Sequence, residues 1–220
     1  MVFNNIKGFL FDMDGTVLDS EALFDDAQLL FLKELEIVAT ADDLEEFKGM
    51  SYKHFYPAFT NKFNLTLDIT TIRSKIRTYL HDIMETRLKF INGFEHFFNQ
   101  NIKPYNFQVG LVTNTTRLSY QKIQKCINID DYFNYVITVT EAKEPKPSPE
   151  PYLQAMNDLS LNENNTLIIE DSQTGLLAAV KSGANVVGLT TSLNKNQIKE
   201  INENIVVANS YLDIANFLLK

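Results

Sequence analysis

Short, almost wholly apolar runs occur at residues 6–11, 107–112, 135–139, 166–169 and 185–189, with a last one at 205–208. Runs of this length bounded by polar or turn residues predict strands buried on both faces, as in a parallel sheet. Segments with a helical period lie between or after them, at 116–126, 151–159, 175–182 and 211–219. Strand alternating with helix predicts an α/β fold, a parallel, doubly wound sheet with right-handed crossovers.

One stretch breaks the alternation. From 19 to about 88 no convincing strand occurs, only helical periodicity interrupted at 48–51 and 61–67. Asp19 or Ser20 can cap a first helix with Leu23, Ala27, Leu30, Phe31 and Leu35 on one stripe. Phe55, Phe59 and Phe63 recur at helical spacing, as do Ile72, Ile76, Tyr79, Leu80 and Ile83. Such stripes predict the interior of a helical module. The expected division is a core of residues 1–18 and 89–220 with a small inserted helical cap at 19–88, able to lie over the first strand's end as a lid. Phe94, Phe97 and Phe98 read as packing, and the Pro-rich run at 144–151 as a stiff loop.

Composition narrows the partners. With 220 residues, 45% of them apolar, the chain can bury a full core. A formal net charge of −8 argues against nucleic acid or an anionic membrane as the main partner. The single cysteine, Cys126, sits in a helical pattern and reads as a structural thiol. There is no basic segment followed by a cleavage site, and no apolar run approaches a membrane span. The expectation is a cytoplasmic protein, monomeric or weakly dimeric.

Candidate chemistry collects where ligands bind in open α/β sheets, at the carboxyl ends of the strands. The first apolar run drives into Asp12-Met13-Asp14-Gly15-Thr16. On an extended strand Asp12 and Asp14 would point the same way, roughly 6.5–7 Å apart, and like charges that close invite a cation. Gly15 permits a tight turn. The second run ends in Thr113-Asn114-Thr115-Thr116, the loop after the third carries Lys143 and Lys146, and the fourth ends in Glu170-Asp171-Ser172. Each has a plain alternative: a turn dipeptide, a helix cap, a solvated charge. Together they set acids, a hydroxyl and an ammonium on one rim. Hard oxygen ligands from two strand ends suit Mg²⁺ with a phosphate.

Asp12-Met-Asp-Gly-Thr16, a hydroxyl after the second strand, a lysine before Pro-x-Pro and an acidic pair before Ser-x-x-Gly175 resemble the haloacid dehalogenase superfamily. The branch is the one with a helical cap after the first motif, which includes β-phosphoglucomutase and many sugar-phosphate phosphatases. The resemblance spans nearly the whole chain and implies a Rossmann-like core. It implies Asp12 as nucleophile and Asp14 as general acid and base. Thr113 and Lys146 would hold the phosphoryl oxygens, together with the Met13, Asp14 and Asn114 segments. Asp12, Asp14 through its carbonyl, Glu170 and Asp171 would hold Mg²⁺. The turn with Lys48, Gly49, Met50 and Tyr52 would read the substrate.

Three positions depart from the branch. Phe24 stands where β-phosphoglucomutase-like proteins carry a histidine, Tyr52 where they carry an arginine, and Glu150 where the motif commonly has Asp. Lys53 or His54 could substitute for that arginine, although a helical neighbour points about 100° away. The first two departures favour a phosphatase of a small phosphomonoester, a sugar or polyol phosphate, over a phosphosugar mutase. A phospho-accepting receiver is shorter, lacks the cap and carries its acceptor on another strand; an inactive binding relative would not need the full acid, Thr and Lys set.

Overall fold

A computed structural model of the chain describes residues 5–47, 50 and 52–219. Contacts divide it into two compact units, Met1–Leu18 with Phe90–Lys220, and Asp19–Lys89. The first unit holds one six-stranded sheet: β1 Gly8–Phe11, β2 Gln108–Val112, β3 Tyr135–Ile137, β4 Thr166–Glu170, β5 Asn185–Leu189 and β6 Val206–Ala208. All neighbours pair in parallel, in the order β3-β2-β1-β4-β5-β6. The chain winds outward on one side of β1 and then on the other, so the order reverses at β1 and β4, the place where such sheets open a crevice.

The central strands are apolar on both faces because helices cover both. Phe9, Leu10 and Phe11 of β1 and Leu167, Ile168 and Ile169 of β4 are fully buried. One face packs Leu10, Val112 and Ile168 with Tyr152, Ala155, Leu176 and Ala179. These come from α6 Glu150–Asp158 and α7 Gln173–Lys181. Against Phe11 lie the rings of Phe94, from the short helix α4 Phe94–Phe97, and of Phe133, edge-on at 5.9 and 5.8 Å, so Phe94, Phe97 and Phe98 are core. Phe11 pairs with both Leu111 and Ile169. That register brings the next residue, Asp12, level with Val112 and Glu170.

The second unit contains α1 Glu21–Glu34, a 3₁₀ segment Ala41–Phe47, α2 Tyr52–Lys62 and α3 Ile69–Arg87. Its core is Ala27, Phe31, Leu32, Leu44, Phe47, Phe55, Phe59, Ile72 and Ile76. The rings of Phe47, Phe55 and Phe59 lie 5.3–5.6 Å apart. Asp68 caps α3 by accepting from Thr71 N–H at 3.0 Å.

Two expectations need correction, and one helix went unforeseen. Leu30 is 40% exposed, and Gln28 takes an inward position on α1 instead, its amide donating to the Phe24 carbonyl at 3.1 Å. The third strand stops at Ile137, where Glu141 turns the chain by accepting from the Thr138 N–H and hydroxyl. A helix absent from the periodicity, α8 Lys195–Ile201, buries Ile198 and is held by a capping box between Asn194 and Gln197. One buried apolar residue in a polar heptapeptide leaves little periodic signal, whereas the cap satisfies its first-turn N–H groups directly.

Candidate active site

Four ionisable side chains meet at the carboxyl ends of β1 and β4. Asp12, Glu170 and Asp171 are buried and offer ligand atoms within 4.8 Å of one another. Into them reaches Lys146, only 4% exposed, from the loop after β3. Its Nζ donates to Asp12 Oδ1 at 2.6 Å, to Glu170 Oε1 at 2.7 Å and to the Val112 carbonyl at 2.7 Å. All three ammonium hydrogens are thereby used, and the Tyr152 ring lies 4.8 Å from Nζ.

Local structure sets each acid. Gly15, at φ +77°, turns the chain after Asp14, and a Cβ there would run into the Asp171 carboxylate. Thr16 donates to Asp171 Oδ1 at 2.9 Å and Ser192 donates to Oδ2. Glu170 Oε2 accepts from the N–H groups of Asp171 and Ser172, each at 2.9 Å, and from the Ser172 hydroxyl, while Oε1 also accepts from Tyr152 at 3.2 Å. Glu170 fits this place because Gly175 has no side chain: a Cβ there would overlap its carboxylate. The cap of α7 is Ser172, accepting from Gly175 N–H at 3.1 Å, and not the acidic pair.

Three carboxylates face one ammonium. At 4.8 Å two like charges repel by about 3.5 kcal/mol at an effective dielectric near 20, so two uncompensated charges make the cluster costly when fully ionised. Burial pushes the Asp12 carboxyl well above the usual carboxylate range; Glu170, Asp171 and Asp14 add to this and Lys146 opposes it. Burial alone would lower the Lys146 ammonium, but Asp12 and Glu170 outweigh it and hold it above the ordinary lysine range. A donor set of hard carboxylate oxygens with excess negative charge fits a divalent cation.

The chain matches the family of haloacid dehalogenase-like hydrolases over residues 9–189, which takes in Asp12, Lys146, Tyr152, Glu170, Asp171 and Gly175. It belongs to that family. It is 22% identical to a pyrophosphatase PpaX of Oceanobacillus iheyensis, with 92% of each chain covered. It is 27% identical to a phosphoglycolate phosphatase of Photorhabdus laumondii, covering 98% of this chain and 91% of that one. Its fold is similar to that of a Thermotoga maritima protein described as a β-phosphoglucomutase, with a TM-score of 0.82 and 21% identity over 97% and 99% of the two chains.

Within this hydrolase fold the motif residues foreseen in the core gather at one end of the sheet. Asp14 is half-buried, its Oδ2 accepting from the Thr115 hydroxyl at 2.9 Å. Thr113 is buried and its hydroxyl accepts from Thr115 N–H at 3.0 Å. Met13 turns its side chain into the core while its carbonyl accepts from Val17 and Leu18. Asn114 bonds through its side chain to the Lys146 backbone. Lys143 is exposed, and Lys146 alone of the two enters the cluster. In the helical unit Phe24 packs its ring on Phe55 at 5.4 Å. Lys48 and Gly49 lie outside the described residues, as does the Tyr52 side chain; Met50 is exposed.

Sequence reasoning missed Thr115, Tyr152 and Ser192. Ser192 was within reach of the rule used for the other loops, since Thr190-Thr191-Ser192 directly follows β5. Thr191 donates to the Gly15 carbonyl at 2.5 Å, which ties that loop to the acidic turn. Tyr152 is masked by its place on an apolar helix stripe, where an aromatic residue signals only packing.

Proposed function

We propose that the protein is a Mg²⁺-dependent phosphatase that hydrolyses a small organic phosphomonoester, a sugar or polyol phosphate, through an aspartyl-phosphate. The observation that carries this reading is the buried Asp12, Glu170 and Asp171 cluster with Lys146 among it, at the point where the sheet order reverses. Asp12, Glu170 and Asp171, with the Asp14 carbonyl, would hold Mg²⁺. The ion would neutralise charge on the transferring phosphoryl group and on Asp12.

An Asp12 carboxylate oxygen attacks phosphorus and the ester P–O bond breaks, giving an aspartyl-phosphate and an alkoxide. Asp14 gives that alkoxide a proton, then takes one from the water that attacks the aspartyl-phosphate and releases inorganic phosphate. Thr113 and the main-chain N–H groups of Met13, Asp14 and Asn114 donate to phosphoryl oxygens. Lys146 does so by exchanging its hydrogen bond to Asp12, since Val112 and Glu170 keep the other two. Preorganised donors of this kind cost no reorganisation during reaction. The helical unit would serve as the cap, with Lys48, Gly49, Met50 and Tyr52 in it selecting the alcohol part of the substrate.

Phe24 favours hydrolysis over mutase chemistry, because its ring is spent on packing and has no proton to exchange. The test is phosphate release from sugar phosphates, glycerol phosphates, phosphoglycolate, pyrophosphate, nucleotides and an aryl phosphate, with Mg²⁺ and with EDTA. Release from one or a few esters, lost with chelator, is expected. No release, together with interconversion of hexose phosphates primed by a bisphosphate, would replace this reading with the mutase.

A further inference from the structure

The chemistry above uses Asn114 only through its main chain, yet its side chain is also engaged. Asn114 Oδ1 accepts from the Lys146 N–H at 3.0 Å and Nδ2 donates to the Lys146 carbonyl at 3.1 Å. A carboxamide offers an acceptor and a donor side by side, so it can pair with both peptide groups of one residue as an adjacent strand would. Lys146 sits in an irregular loop outside the strand ladders, and its peptide hydrogen bonds go to this amide.

The other end of Lys146 needs that anchorage. Nζ meets acceptors just past β1 and on β2 and β4 at 2.6–2.7 Å, from a side chain with four rotatable bonds and about 2 kcal/mol of rotamer entropy to lose. Displacing its Cα moves the ammonium off acceptors whose own strands are fixed. Asn114 is suited to prevent this because it lies two residues past the end of β2, and the residues beside it are tied to the same site. Thr115 N–H donates to the Thr113 hydroxyl, and the Thr115 hydroxyl donates to Asp14.

We infer that the Asn114 side chain is the positioning residue for Lys146, clasping its backbone so that the ammonium stands where the phosphoryl group transfers. This rests on the phosphatase reading of Lys146. The test is a double-mutant cycle between Asn114→Ala and Lys146→Met, followed by turnover of p-nitrophenyl phosphate with Mg²⁺ and by thermal unfolding. Asn114→Ala is expected to lower kcat by roughly ten- to a hundredfold, the usual effect of misplacing a catalytic group by an ångström, with KM within about threefold. In the Lys146→Met background the same change leaves kcat within about twofold, because no ammonium remains to be positioned. The fall in melting temperature is nevertheless the same in both backgrounds, because the clasp is to main chain.

Asn114→Asp keeps size and acceptor but sets a carboxylate oxygen against the Lys146 carbonyl, and it lowers kcat in the same way in a folded protein. An unchanged kcat in Asn114→Ala, or an equal catalytic loss in both backgrounds, overturns the positioning role. Wild-type protein that releases phosphate from no ester overturns the phosphatase reading instead. The cycle is then read by calorimetric affinity for inorganic phosphate, where an Asn114→Ala affinity equal to that of wild type overturns the inference.

Discussion

Asp12 is held in a place that disfavours its own charge. Its carboxyl is raised by burial, so at neutral pH the ionised form destabilises the fold, and neutralising it relieves that cost. Asp12→Asn is therefore expected to leave the melting temperature, measured without divalent metal, at or above that of wild type. The same substitution removes the proposed nucleophile and is expected to lower turnover by more than roughly a thousandfold. A nearly active Asp12→Asn enzyme would remove the assignment. Gly175 is a second single-atom constraint. A methyl there overlaps the Glu170 carboxylate, which must leave Lys146, Tyr152 and the Asp171 and Ser172 N–H groups to make room. Gly175→Ala should destabilise by about 1–3 kcal/mol as overpacking does, and lower kcat as well, checked by urea unfolding and steady-state rates. The Asp-x-Asp pair was legible because carboxylates after an apolar run have no packing explanation. The partners of Asp171 were not, because a serine after β5 carries no pattern that points across the sheet.

Loops between elements are braced by ion pairs that local sequence does not announce. At the start of α5 Arg117–Cys126, the Arg117 guanidinium donates Nε to Glu141 Oε1 at 2.9 Å and Nη2 to Oε2 at 2.8 Å, and Nη2 also reaches the Val136 carbonyl. This ties the helix after the Thr113 loop to the loop that leads to Lys146. The Arg117 hydrogen bond, with help from Thr138, lowers the Glu141 carboxyl from 4.5 to about 2. A depressed acid stabilises the fold above its unfolded pKa and loses that contribution as pH falls toward its folded one. Wild type should therefore exceed Glu141→Gln in stability above about pH 4.5. The gap should close as pH drops toward 2, and equal stabilities at neutral pH would reject the brace. Because this pair is partly exposed, the gap at neutral pH should be modest. Strands and long helices were legible from apolar period. Arg117 and Glu141, 24 positions apart, were not, since only the crossover between β2 and β3 brings them together.

At the scale of the whole molecule, the proposed metal site would link metal binding to folding. An ion held by the native carboxylates and not by the unfolded chain stabilises by about 2.7 kcal/mol at a hundred times its dissociation constant. Added Mg²⁺ should raise the melting temperature, EDTA should reverse the rise, and Asp171→Asn should abolish most of it. A wild-type melting curve indifferent to Mg²⁺ would count against the metal site, whatever the enzyme assays give. Among the described residues, no helix is long and apolar enough to cross a membrane. By itself the sequence determined the parallel α/β class and the helical segment between the first two strands, and it singled out the acids, Thr113 and Lys146 as the candidate chemistry-bearing set. These follow from local causes: the period of burial within a strand or helix, and carboxylates where an apolar run stops. Only the tertiary structure decided that Glu170 holds Lys146, that Asn114 clasps its backbone and that Gln28, not Leu30, turns inward. Those depend on strand register and on which side chain fills the space left by another, and both are settled when distant segments pack.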